Sequence, residues 1–113
     1  MNEPVKVLVV FMNDVDRWND EPLSSALMRR LHQLDVAGAT AHQGTMGFGH
    51  HHRLHHRGLF GISDNRPITV TVVDAESKIR ALVPEVRSMV REGLILMLDA
   101  ELVAESLDTE SAT

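Results

Sequence analysis

The chain contains no cysteine, so it cannot form a disulfide, a thiolate zinc or iron–sulfur site, or a cysteine nucleophile. This absence fits a reducing compartment, and we expect a cytoplasmic protein. Tyrosine is also absent and aromatic residues make up only 4%, so the core must be built from Val, Leu, Ile, Met and Ala. No apolar run approaches the ~20 residues of a membrane span, and no basic stretch precedes an apolar one at the N-terminus. We therefore expect no signal peptide and no direct membrane insertion.

Basic residues are also in short supply. The 113 residues include 11 Lys and Arg against 16 Asp and Glu, which gives a formal net charge of −5. Nucleic-acid binding needs a clustered basic face, so no nucleic-acid partner is expected. A hydrophobic content of 43% is enough for a modest folded core. We predict one domain over residues 1–104 and a polar, disordered tail over residues 105–113.

Hydrophobic periodicity predicts four strands. The first, VKVLVVFM, is apolar on both faces, as a buried central strand is, and the third alternates apolar and polar residues after Pro67. The second is less hydrophobic, and the fourth is a short apolar run. The strands are predicted at residues 5–12, 39–45, 67–74 and 94–98, the last with an extension through Val103 left open.

Two amphipathic helices are predicted between these strands. Pro22 precedes a stripe of leucines spaced by four, four and three residues, which ends before Gly38. A second apolar stripe spans residues 76–91 but includes Pro84. Proline removes a backbone donor and clashes one turn back, so we expect a break or kink there, with two shorter helices as the alternative.

The element order is strand, helix, strand, strand, helix, strand. This βαββαβ order predicts an α+β, ferredoxin-like sandwich with both helices on one face of the sheet. The first strand and Val73 leave apolar residues on the second face, which needs a cover. Without further helices, we expect that cover to be another copy of the chain.

A glycine-rich stretch, GATAHQGTMGFG, ends the second strand at residues 38–49. Closely spaced glycines permit unusual turns or a close approach to a ligand, but chemistry alone favours a simple transition from strand to loop. No period holds beyond them, so a long, flexible segment is predicted at about residues 49–66. Asp14 and Asp16 lie before the first helix, where capping and dipole roles are favoured over catalysis.

Many residues in this arrangement resemble one family, the PII-like signalling proteins catalogued as domain of unknown function 190. The resemblance covers most of the chain from Val5 to Val103. It is carried by Asp14, Asp16, Trp18, Pro22-Leu23, Gly38-Ala39-Thr40, Gly44, Gly47-Phe48-Gly49, Ser63-Asp64, Pro67, Val73-Asp74, Lys78-Ile79, Leu82-Val83-Pro84-Glu85, Met89-Val90 and Glu92-Gly93-Leu94. The resemblance implies a ferredoxin-like homotrimer whose long loop corresponds to the T-loop of nitrogen-regulatory PII proteins.

The family resemblance also implies a function. In PII relatives a small effector, often an adenine nucleotide, binds in the cleft between subunits and orders the loop, and the loop then reports to a membrane transporter or an enzyme. No essential cofactor is implied. The ligand-binding residues expected on this basis are Gly47, Phe48, Gly49, His50, Arg87 and Arg91.

Five of the seven histidines fall within the run HHHRLHHR at residues 50–57. Neutral imidazole is a good ligand for zinc or nickel, and the candidate metal ligands are His51, His52, His55 and His56. The run lacks the carboxylates that complete many metal sites. The histidines nevertheless support an alternative function, a metal-responsive or metal-binding trimer.

No catalytic arrangement is visible in the sequence. It contains no Ser-His-Asp order, no Walker loop and no dinucleotide fingerprint. We therefore expect a protein that is not an enzyme.

Overall fold

The computed structural model describes residues 2–47 and 66–105. Four strands form an antiparallel sheet in the order β4-β5-β1-β6, and two short strands, β2 and β3, pair separately. This mixed α+β arrangement is compatible with the predicted ferredoxin-like fold. The elements are β1 Val5–Asn13, β2 Arg17–Trp18, β3 Glu21–Pro22, α1 Leu23–Gln33, β4 Gly38–Gln43, β5 Pro67–Ala75, α2 Glu76–Met89 and β6 Ile95–Ala100.

One face of the sheet carries both helices. Alternate residues of β1, namely Leu8, Val10 and Met12, are at most 5% exposed and belong to the same buried cluster as Val70 and Val72 of β5. Apolar residues from the two helices complete this core at helical spacing. They are Leu23, Ala26, Leu27 and Leu31 of α1 and Ile79, Leu82, Val86 and Met89 of α2.

The opposite face of the sheet, here called the outer face, has no helix over it among the described residues. The intervening residues of β1 point to it, and the register places Val9 between Thr71 of β5 and Leu96 of β6. Phe11 is 37%, Leu96 43% and Leu98 48% exposed. The described chain thus leaves an apolar patch on the outer face of β1 and β6.

The prediction of two shorter helices around Pro84 is wrong, because α2 is a single helix from Glu76 to Met89. Pro84 lies on its exposed side, whereas Leu82 and Val86 on either side of it are buried. Pro84 lacks the backbone N–H that would donate within the helix, and this gap lies on the exposed side of α2. The packing of Leu82 and Val86 in the core holds the helix together across the proline.

A small hairpin of β2 and β3 was not predicted from the sequence. Asn19 and Asp20 form its turn with φ values of 49° and 68°, a left-handed conformation that Asn and Asp tolerate. Trp18 packs against the chain's own core. At the other end of the chain, β6 stops at Ala100 and does not extend through Val103, which is 89% exposed. Within residues 2–47 and 66–105, neither helix has the length and apolar character needed to cross a membrane.

Candidate functional site

The predicted ligand-binding residues that the structure describes lie at one end of the sheet. Because neighbouring strands are antiparallel, β1 and β4 end where β5 and β6 begin. We call this the loop end. It is marked by Asn13, Gln43, Pro67 and Ile95.

Two glycines approach Pro67 closely at the loop end. The amide of Gly44 donates to the carbonyl of Pro67 at 2.7 Å. A Cβ atom on Gly44 would lie 2.8 Å from Pro67 Cγ, and one on Gly47 would lie 3.3 Å from the same atom. Larger residues would have to displace the proline ring, which explains the local need for glycine.

Asp14 and Asp16 follow β1 at the loop end, but their side chains do not cap α1. The helix begins after Pro22 without a side-chain cap, so the predicted capping role is wrong. Asp16 Oδ2 instead accepts a hydrogen bond from the amide of Asn13 at 2.9 Å, and the amide of Asp14 donates to the carbonyl of Arg66 at 2.9 Å. Asp16 thus closes the turn that follows β1, and the Asp14 backbone joins that turn to the residue before β5.

Arg87 lies in the last turn of α2, and Arg91 lies in the turn between α2 and β6. Arg87 Nη1 donates to the carbonyls of Val90, at 3.0 Å, and Arg91, at 3.2 Å. Gly93 has a φ of +123°, and a Cβ atom there would lie 2.2 Å from the carbonyl oxygen of Phe11. Arg87 therefore stabilises the turn, whereas the Arg91 side chain belongs to an exposed residue.

Within the described part of one chain, these predicted residues lie apart. Gly47 follows β4, at one edge of the sheet, whereas Arg91 lies in the turn that leads into β6, at the other edge. Arg87 contacts that turn through the Arg91 carbonyl. Three strand spacings of about 4.8 Å separate the two edges by roughly 14 Å. Among the described residues, Gly47 and Arg91 therefore share the loop end but not the same edge of the sheet.

The other predicted ligands cannot be placed. Three effector-site residues, Phe48, Gly49 and His50, and all four candidate metal ligands, His51, His52, His55 and His56, lie outside the described residues. The metal site and the effector site therefore stay predictions. Among the residues that are described, no group of three or more His, Asp or Glu side chains could hold a metal ion. His32 on α1 and His42 on β4 are both exposed.

A cleft lies between the helices. It is an open cleft of about 280 Å³ whose lining includes Trp18, Arg29, Arg30 and Glu85. The hydrogen bond from Arg30 lowers the pKa of the Glu85 carboxyl below its ordinary value. Arg29 likewise lowers the pKa of Glu21 through a bidentate contact, with atoms 2.9 and 2.6 Å apart. Both arginines of the cleft are therefore already paired with carboxylates.

Comparison with known proteins places the chain among uncharacterised relatives. The model of the family described as an uncharacterised group, domain of unknown function 190, matches residues 5–102. A UPF0166 protein of Aquifex aeolicus is 26% identical over 98 residues, which cover 87% of this chain and 92% of the relative. A UPF0166 protein of Methanocaldococcus jannaschii is also 26% identical over 98 residues, which cover 86% of this chain and 90% of the relative.

Proposed function

The chain belongs to the family known as domain of unknown function 190, and on that premise we propose that it is a PII-like regulatory protein. In this proposal it forms a ferredoxin-like homotrimer and binds a small effector, an adenine nucleotide, in the cleft between subunits. The segment between β4 and β5 then reports the bound state to a target protein, a membrane transporter or an enzyme. An effector that binds one state of that segment better than another shifts its population by the difference in affinity.

The observation that carries this proposal is the apolar outer face. Val7 and Val9 of β1 lie beside Leu96 and Leu98 of β6 in the sheet register, and the two leucines are nearly half exposed. Removing such a contiguous apolar surface from water is favourable, at about 25 cal/mol per Å² of apolar area buried. A second copy carries the same surface and can cover it.

The separation of the predicted ligands supports a site between copies. Gly47 and Arg91 share the loop end but lie at opposite edges of one sheet. A cleft lined by the β4 edge of one copy and the β6 edge of another would combine the glycine-rich backbone with a cationic side chain. Close backbone approach and an arginine are both suited to a phosphorylated ligand.

Oligomeric state and nucleotide binding can be tested in one series. Equilibrium sedimentation should give three times the 12.6 kDa of one chain, and titration calorimetry should detect ADP binding. Leu96→Lys places a charge on the outer face at an exposed position, so it should dissociate the trimer into folded monomers and abolish ADP binding. Val103→Lys, at an 89% exposed position beyond β6, is the matched control and should change neither property.

A wild-type monomer at micromolar concentration would contradict the trimer, and an absence of ADP binding would contradict the nucleotide site. To separate the metal-binding alternative, the same titrations use a variant with His51, His52, His55 and His56 changed to alanine. ADP binding that survives these changes supports the proposal, whereas stoichiometric zinc binding lost with them would support the metal-responsive function.

A further inference from the structure

One carboxylate oxygen at the loop end is buried without a hydrogen-bond partner among the described residues, namely Asp14 Oδ1. Buried polar atoms are nearly always paired, because an acceptor removed from water without a donor costs free energy. An exception next to a predicted ligand site therefore requires an explanation.

The structural roles open to Asp14 do not supply that explanation. It does not cap α1, which begins without a side-chain cap, and the turn after β1 is closed by Asp16 Oδ2 on the amide of Asn13. Asp14 contacts the Arg66 carbonyl through its backbone amide and not through its side chain. Its carboxylate oxygen is left without a partner from the fold as described.

The position of Asp14 connects it to the glycine-rich segment. Arg66, whose carbonyl accepts the Asp14 amide, directly precedes Pro67. Pro67 in turn is the residue that a Cβ on Gly44 or Gly47 would meet at 2.8 or 3.3 Å. Asp14 and Gly47 thus flank the same short piece of backbone at the loop end.

We propose that Asp14 Oδ1 accepts a hydrogen bond from a ribose hydroxyl of the bound nucleotide, an inference that rests on the proposed function. A carboxylate repels phosphate, whereas the sugar of a nucleotide offers two neutral O–H donors that a carboxylate oxygen can accept from. Carboxylates bind ribose hydroxyls in this way in dinucleotide-binding folds. Asp14 then selects ribonucleotides over deoxynucleotides, with the phosphates directed away from it.

The test measures ADP, 2′-deoxy-ADP and 3′-deoxy-ADP binding to the wild-type trimer and to Asp14→Asn by titration calorimetry. Loss of the contacted hydroxyl should weaken nucleotide binding to the wild type about tenfold, because it removes a hydrogen bond to a charged group. The same loss should weaken binding to Asp14→Asn by less than about twofold. Asp20→Asn removes the same charge from an exposed turn position that tolerates asparagine. This control should retain the full deoxynucleotide penalty.

A second readout compares ligand-free stability. Because Asp14 Oδ1 has no hydrogen-bond partner among the described residues, Asp14→Ala should not lower the Tm of the ligand-free protein. If the carboxylate had a structural partner, the Tm would fall. An equal deoxynucleotide penalty in wild type and Asp14→Asn would overturn this inference and leave the nucleotide site standing. No ADP binding to the wild type would overturn the proposed function and, with it, this inference.

Discussion

The two faces of the sheet are built from the same strand and have opposite surroundings. On the helix side of β1, Leu8 and Val10 are 1% and 0% exposed, whereas on the outer face Phe11 is 37% exposed. Residues of similar hydrophobicity alternate between these faces. The difference shows that β1 is apolar on both faces although the described helices cover only one of them.

The largest effect expected from this comparison comes from truncating one leucine on each face. In the monomeric Leu96→Lys background, Leu8→Ala should lower the free energy of unfolding by about 2–5 kcal/mol, because it removes a buried side chain and leaves a cavity. Leu98→Ala removes the same atoms from a residue that is 48% exposed and should cost less than about 1 kcal/mol. Urea unfolding gives both values, and equal losses would contradict the distinction between the faces.

A smaller loss of stability is expected from a substitution at Gly93, in the turn between α2 and β6. Gly93→Ala should destabilise the protein by at least about 1–3 kcal/mol, because the backbone is left-handed there and the added Cβ would meet the Phe11 carbonyl. That clash would loosen β6 from β1 and with it the outer leucines. The matched control is Gly38→Ala, where nothing lies within 4 Å of the added atom. Thermal unfolding should show an unchanged or slightly raised Tm for the control.

The smallest effect concerns the ion pair across the helix layer. The pKa of Glu85 is lowered from 4.5 by Arg30, so the stabilisation is present above the ordinary pKa and is lost as the pH falls through the folded value. Wild type should therefore unfold at a slightly higher temperature than Glu85→Gln at pH 7, and the two should converge once the pH is low enough to protonate Glu85 in the folded protein. Because the pair is exposed, 1 M salt should shrink the difference. A difference that persists unchanged at low pH would assign it to packing instead.

Most of the fold was predictable because its elements are periodic. The apolar stripes of α1 and α2 and the alternation of β5 follow from side-chain geometry alone. The hairpin of β2 and β3 was missed because two-residue strands show no period, although Asn19-Asp20 was a recognisable turn signal. The effect of Pro84 was overestimated because local propensity does not include the packing of Leu82 and Val86.

The candidate site was less predictable, since its residues come together only through tertiary structure. The sequence identified Gly47 and Arg91 but not that they lie at opposite edges of the sheet. Asp14 was interpreted as a cap because it precedes a helix, and only the structure shows that its Oδ1 lacks a partner among the described residues. The one sequence signal that could have marked Asp14 as a candidate ligand-binding residue was its position directly after a buried strand.

Trp18, held against the core beside the cleft between the helices, is the single tryptophan of a chain without tyrosine. Its fluorescence therefore reports on one place in the molecule, the β2–β3 hairpin and the helix layer beside it. Association through the outer face should change the mass of the particle while leaving this emission almost constant. A spectral shift on adding a ligand or a target would instead mark an event that reaches the helix side of the sheet.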